Sequence, residues 1–460
     1  MVKPLHLVSV AFLACAVCGT ALGEEITPAS VQNITDIFQL ARQNDSAWAS
    51  AQSGNVAAQE KLAQGKALLL PSASLSANFS HNQVDTSSKP GNVSQFSYNG
   101  FDKYDNYGYR LNVSHPLYNK EKSAIYAESK IQVAQADQQL SFALQDLILR
   151  VAQVYFDMLL AQDSVTLNAA QKAAIANQLE QAKVSFEVGT ATITDVHEAQ
   201  ARHDLVSAQE IALRNDLEVK RQAVQRIIGQ LPQRIAILQD KPALKPLDPG
   251  SMDQWVEIAE RENLRLKIQQ KAMELADQEV QRAKAGHHPT LDIVGSYADT
   301  RMSGGVAEEI RGYTDQAKSG SIGLQLEIPL FRGGAINSRE RETIANQQKA
   351  RDDLETVRRQ IGFDVRQAYL EATSTLSQVQ AYEQALISSQ SSLDSTQLGY
   401  EVGVRTSVDV LNAQQQLYTS KRDLLRARYS FLLSRLKLKG AAGLLAETDL
   451  GEINQLLVNP

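Results

Sequence analysis

The sequence predicts a mainly α-helical chain with a smaller β part, laid out as an internal two-fold repeat. Three observations predict it. Over 119–187 nothing breaks a helix, and Leu140, Leu144, Leu147, Val151, Val154, Met158, Ala161 and Val165 step by four and three as a heptad seam does. Short stretches before Pro116 and Pro329 switch to the alternation of a strand. A small glycine-containing break between helical segments occurs twice, as FEVGTATITDVHEAQ over 186–200 and YEVGVRTSVDVLNAQ over 400–414. With 43% hydrophobic but only 6% aromatic residues, the composition suits long Ala-rich helical seams better than several globular cores.

Taken in order, residues 1–23 read as a secretory signal. Lys3 supplies the basic start, 5–17 is an apolar run too short to span a membrane, and Ala21, Leu22 and Gly23 precede a cleavage point. Lipidation at Cys15 is the rival, although Phe12 is a poor match at its first position. Both cysteines, Cys15 and Cys18, lie in this segment, so cleavage after Gly23 leaves no disulfide. No later stretch approaches the ~20 apolar residues of a membrane helix, but an exported chain can still enter a membrane as a β-barrel.

A helix is expected over 31–66, capped by Asn33 or Thr35 and ended by Pro71. Residues 72–80 alternate as a strand, and Tyr107, Tyr109, Leu111 and Val113 alternate again. The aromatic residues between Phe96 and Tyr109 suit an interfacial girdle or a soluble aromatic hairpin. The first long helix, roughly 70 residues at about 1.5 Å each, makes a rod of about 100 Å. After the first break a helix runs over 195–228, and the prolines at 232, 242, 246 and 249 mark an irregular linker. A helix over 252–285 follows, then strands around Leu291–Tyr297 and Ile322–Ile328, a second long helix over 334–401, and a helix over 407–438.

Pro71 pairs with Pro289, Pro116 with Pro329 and Gly189 with Gly403, at nearly equal separations. The expected units are 24–238 (β-hairpin about 70–116, tip 188–195), a linker 239–250, 251–440 (β-hairpin about 289–329, tip 402–409) and a tail 441–460. The helix over 195–228 laid end to end with that over 252–285 matches one long helix in length, as does the last helix with the first. Each long helix is therefore expected to pack antiparallel along such a stacked pair. Four strands cannot close a membrane barrel, so hairpins that span a membrane require several chains to share one.

The repeat, the two tips, the Ile193-Thr194-Asp195-Val196 stretch, the motif over 399–411 and Ile328-Pro329-Leu330-Phe331-Arg332-Gly333-Gly334 together resemble the TolC family of outer-membrane efflux ducts. The resemblance covers almost all of the chain after the signal. It implies a homotrimer with a shared outer-membrane β-barrel of about 12 strands, four from each chain. It also implies a long antiparallel α-helical coiled-coil tunnel in the periplasm, closed at its tip. The implied function is a channel of tripartite efflux or type I secretion systems, an exit duct for drugs, toxic compounds or proteins. The implied partners are a periplasmic membrane-fusion adaptor, an inner-membrane transporter of RND, ABC or MFS type, and outer-membrane lipid.

Residue roles follow from the same resemblance. Tyr400 and Arg405 of the second tip are expected to latch onto Thr194 and Asp195 of the first. Asp409 matches the first of two aspartate positions that narrow the pore, whereas Asn412 stands at the second, and Glu198 occupies the equivalent place in the first tip, where it can restore the missing charge. Val188, Gly189, Thr190, Val402 and Gly403 fall where the family contacts its adaptor.

The residues themselves leave plainer readings open. Thr192 and Thr406 each precede an aspartate by three, the spacing of a helix capping box, so Asp195 and Asp409 suit capping as well as gating. The glycines of the tips suit simple turns. Arg405 is harder to explain locally, because a cation at a helix start opposes the dipole, and an acid in the other tip is the economical partner. His81, His115, His197, His203, His287 and His288 are scattered, and no metal or cofactor is expected. With a net charge of -6 and no basic run, no nucleic acid is expected. No nucleophile elbow or phosphate loop appears, so the chain is not expected to be an enzyme. The remaining rival class is a structural coiled-coil envelope protein without a pore; it leaves the paired hairpins and Arg405 unexplained.

Overall fold

A computed structural model of the chain describes residues 31–86, 100–304 and 315–459. The expected signal, with Cys15 and Gly23, and the aromatic positions Phe96 and Tyr98 lie outside the described residues. In chain order, β1 (Val31–Gln32), α1 (Ile34–Asn44) and α2 (Ser46–Ala67) lead into β2 (Ser72–Thr86) and β3 (Gly100–Tyr118). The long α3 (Lys120–Glu187) and α4 (Ile193–Ile228) follow, then β4 (Arg234–Ile235) and β5 (Ile237–Leu238). Next come α5 (Met252–Glu262), α6 (Leu264–Ala285), β6 (Thr290–Gly304), β7 (Asp315–Glu327), α7 (Ala335–Glu401) and α8 (Ser407–Ala442). A short α9 (Glu447–Asn454) and β8 (Leu457–Val458) close the order.

The helices expected over 31–66 and 252–285 are each two helices. The breaks fall at Asp45 and Asn263, both in extended backbone. Each residue caps the helix that follows: Asp45 Oδ1 accepts from the Trp48 amide at 2.7 Å and Asn263 Oδ1 from the Leu266 amide at 3.1 Å. Each also reaches across the fold. Arg150 donates two bonds to Asp45 at 2.7 and 3.1 Å, and Asn263 Nδ2 donates to the Ala441 carbonyl at 2.7 Å. The Arg150 guanidinium holds the Asp45 carboxyl below its ordinary range, against the opposing effect of burial. At the start of α1, Asn33 and not Thr35 is the cap, in a capping box with Asp36.

The stacked pairs also differ from expectation. The end of α4 meets α1, not α5, and α8 meets α5. The parallel pair β1–β4, with Val31 opposite Arg234, ties the end of the first hairpin of helices to the start of the chain. Gly229, the left-handed cap of α4, lies against Asn44. The corresponding cap of α8 is Gly443, at φ 80. A Cβ on Gly443 would overlap the Glu262 carbonyl and come within 2.7 Å of Asn263 Cα. Gly443→Ala is therefore expected to destabilise the fold by at least about 1–3 kcal/mol, read as a lower thermal midpoint. Gly189→Ala, equally left-handed but with nothing within 4 Å, should cost less.

The main apolar core lies where α1 and the ends of α4 and α8 meet the middle of α3, a level called the equator below, far from the tips. Ile34, Phe38, Leu147, Val151, Tyr155, Leu159, Ile228, Tyr429 and Leu432 form one buried cluster, with Tyr155 Oη donating to the Ala236 carbonyl at 2.8 Å. The expected linker and tail join it through β5–β8, with Leu238 opposite Leu457. Two-residue strands carry no readable period, so the sequence did not reveal them. Towards the tips the clusters shrink to a few side chains, such as Ile175, Leu179 and Leu411, or Leu393, Val410 and Leu417.

The four long strands form one antiparallel sheet in the order β2-β3-β6-β7. Both hairpins run further than the alternation in sequence suggested. Register sorts the two faces. One face carries Leu75, Leu111 and Tyr297 in one row and Ala73, Val113, Gly295 and Ile322 in the next. The other carries Ser74, Asn112, Ser296 and Ser321. The apolar face is uncovered in the single chain, with Leu75 at 71% and Ile322 at 84% exposed. Among the described residues no helix is long and apolar enough to cross a membrane.

Candidate gate at the helical hairpin tips

Each tip is built the same way. Where α3 ends, Gly189 takes φ 79, and the Thr190 and Ala191 amides donate to the Ser185 carbonyl at 2.8 and 3.2 Å. Where α7 ends, Gly403 takes φ 78, and the Val404 and Arg405 amides donate to the Gly399 carbonyl at 2.9 and 3.1 Å. These are glycine C-caps that satisfy the last carbonyls of the long helices. The returning helices begin in capping boxes. Asp195 Oδ2 accepts from the Thr192 amide at 2.9 Å, and Asp409 Oδ2 from the Thr406 amide at 3.0 Å. The capping geometry open in the sequence is present at both aspartates.

The first tip also touches the second. Ser407 Oγ, buried at the start of α8, donates to Asp195 Oδ1 at 2.7 Å. That bond, then the Thr192 hydroxyl and amide, holds the Asp195 carboxyl below its ordinary range. The Thr406 amide and hydroxyl do the same for Asp409, and the Arg405 charge adds to it. Asp195, Tyr400 and Arg405 line one groove between the tips, together with Thr190 and Gly403. Tyr400 packs half-buried against the Leu393, Val410 and Leu417 cluster. Arg405 makes no ion pair within the single chain among the described residues. Its stem crosses Gly399, where an added Cβ would come within 2.8 Å of Arg405 Cγ. Thr194 is exposed and does not line this groove.

The residues expected to narrow the pore lie further along the returning helices. Asp409 and Asn412, one turn apart on α8, are off the buried seam of Val410, Leu411 and Gln414. Arg202 Nη2 of α4 donates to Asn412 Oδ1 at 3.0 Å. The same guanidinium lies 3.6 Å from Glu198 Oε1, so the acid expected to restore the missing charge has a cation beside it. Val188 and Val402 sit at the outermost turn, 69% and 66% exposed.

Sequence reading missed Ser407, Gly399 and Arg202. Aligning the tips offered a signal for the first, since Ser407 stands where the first tip has Ile193. Arg202 follows Glu198 by four, a spacing that pairs charges on a helix.

The family model for outer membrane efflux protein matches residues 37–230 and 255–444. The chain belongs to that family. Among curated members, it is 33% identical to outer membrane protein TolC of Vibrio cholerae serotype O1 over 434 residues, covering 94% of this chain and 96% of that one. It is 32% identical to alkaline protease secretion protein AprF of Pseudomonas aeruginosa over 424 residues, 91% of this chain and 85% of the relative. The fold matches the outer membrane channel CmeC of Campylobacter jejuni with a TM-score of 0.75 at 17% identity, over 92% of this chain and 89% of that one. An outer membrane efflux protein of this kind is a conduit at the outer membrane facing the periplasm, not an enzyme.

Proposed function

We propose that three copies of this chain form one gated duct that crosses the outer membrane and reaches through the periplasm. The observation that carries this reading is the four-stranded sheet. It has an uncovered apolar face, a polar face, and two unpaired outer edges at β2 and β7 among the described residues. Unpaired edges are excluded from lipid, so such a sheet must close, and four strands are too few. Closure by three chains pairs β7 of one copy with β2 of the next, apolar face to lipid and polar face to the lumen. Long helices such as α3 and α7 then continue the barrel as an antiparallel coiled-coil tunnel, each repeat supplying one hairpin of helices.

The tips close that tunnel. Asp195 with Thr194, and Tyr400 with Arg405, act as the latch, the Arg405 guanidinium, which forms no ion pair in its own chain among the described residues, reaching a neighbouring copy. Asp409 and Asn412, with Glu198 beside them, line the constriction. Val188, Gly189, Thr190, Val402 and Gly403 meet a periplasmic adaptor, which with an inner-membrane transporter of RND, ABC or MFS type opens the tip. Weak contacts suit this task, because a docked adaptor has to shift the equilibrium. The family is one of efflux proteins and the relatives include a protease secretion protein, so small exported compounds such as drugs and proteins both fit as cargo.

Reconstitution into planar bilayers tests the duct. Discrete low-conductance steps are expected, and a protein that inserts nowhere and conducts nothing overturns the reading. Deleting the gene and measuring dye retention beside protein secretion separates the two cargo classes.

A further inference from the structure

The duct reading leaves one residue without a role. Arg202 lies on α4 between two groups of the constriction: Glu198 on its own helix, at 3.6 Å, and Asn412 on α8, at 3.0 Å. A bland account is available, since an i,i+4 pair on a solvated helix contributes little to stability. That account explains Glu198 but not the second bond, which crosses to the other hairpin of helices. A guanidinium has donors enough for both partners and stays charged at every relevant pH. The partner on α8 is an amide, which takes a hydrogen bond without adding a negative charge. Each chain therefore brings three carboxylates to this end of the returning helices, Asp195, Glu198 and Asp409, and two guanidiniums, Arg202 and Arg405.

We propose that Arg202 is a specificity-determining residue of the duct: it cancels the charge of Glu198 at the constriction, so that the closed pore carries less negative charge, and favours cations less, than its carboxylates alone would make it. This inference rests on the duct reading above. A three-fold arrangement multiplies each uncancelled charge by three in a narrow, low-dielectric passage, where field focusing makes such charges count. Because the ion pair is weak as a structural tie, its charge can be removed with little cost to folding.

The test uses the full-length protein in planar bilayers under a KCl gradient, comparing the wild type with Arg202→Gln, Arg202→Lys and the double variant Arg202→Gln/Glu198→Gln. Glutamine keeps a donor for Asn412 and removes only the charge. The expected result for Arg202→Gln is a rise of at least about threefold in K+ over Cl− permeability, with new sensitivity to block by Mg2+. The rise should be larger at about 0.1 M than at about 1 M salt, where the screening length shortens from about 10 to about 3 Å. Arg202→Lys should keep the wild-type ratio, and the double variant should return to it. Channels of unchanged selectivity in Arg202→Gln overturn the inference. So does a double variant as cation-selective as the single one, since the effect would then not run through Glu198. A wild type that forms no channels overturns the duct reading itself, and this inference with it.

Discussion

Ile322→Lys is expected to keep the protein out of the outer membrane, while Ser321→Lys, one residue earlier, leaves it assembled. The two positions are neighbours on β7 and differ only in the face they present. Ile322 shares the apolar face with Gly295 and Val113, and Ser321 shares the polar face with Ser296, whose hydroxyl lies 2.9 Å away. A lysine on the lipid face near the middle of a bilayer costs about 2–4 kcal/mol, whereas a lysine on the lumen face stays in water. In the proposed duct of three copies the first cost is tripled and the second stays near zero. The measurement is the amount of each variant recovered in outer-membrane fractions as a trimer. Equal recovery of the two would remove the assignment of the faces, and with it the strongest support for a shared barrel.

The second large effect is expected at the tips. Asp195→Ala should raise single-channel conductance more than Arg405→Ser does. Asp195 accepts the Ser407 bond that joins the tips and the Thr192 bonds that start α4, so the alanine variant loses both at once. A hydrogen bond to a charged group is worth about 1.5–3 kcal/mol at most sites, and the lower end applies to this half-exposed one. Arg405→Ser removes only the contact proposed with a neighbouring copy, and conductance unchanged by it would strip Arg405 of its place in the latch while leaving the Ser407–Asp195 bond standing. The pH response has a definite sign. The Asp195 carboxyl is held below its ordinary value of 3.8, so its contribution is fully present above that value and fades only as pH falls further. Conductance of the closed wild type should therefore be flat from about pH 8 to about pH 5, and should rise only in stronger acid. Opening near neutral pH would place the latch elsewhere.

The tips suit the proposed gate partly because of where the apolar core is not. The large buried cluster gathers at the equator, around Tyr155, Phe38 and Leu432, and the tips keep only small clusters such as that of Leu393, Val410 and Leu417. Segments with few buried apolar contacts open at low cost, so motion at the tips need not disturb the equator. On the gate proposed above, the tip hydrogen bonds decide between closed and open, and single substitutions there are expected to show as changes in conductance.

Local pattern alone determined a good deal of this protein. The long helices were legible because their seams repeat within a few residues, and the capping boxes at Thr192 and Thr406 because a cap and its acid are three residues apart. The β-hairpins were legible only in their inner halves, where apolar and polar residues alternate. Asp45 and Asn263 are ordinary capping residues in sequence; what their sequence does not show is that Arg150 and the Ala441 carbonyl meet them at the breaks from elsewhere in the chain. The stacking of α4 on α1 depends on two-residue strands too short to show a period. At the gate, the aspartates were readable from spacing, but Ser407 on Asp195 and Arg202 on Asn412 join residues about two hundred positions apart in sequence. Short-range periodicity specifies which segments are helix, strand or turn. Which side chains then face one another depends on how those rods are laid together, and that information exists only in the packed structure.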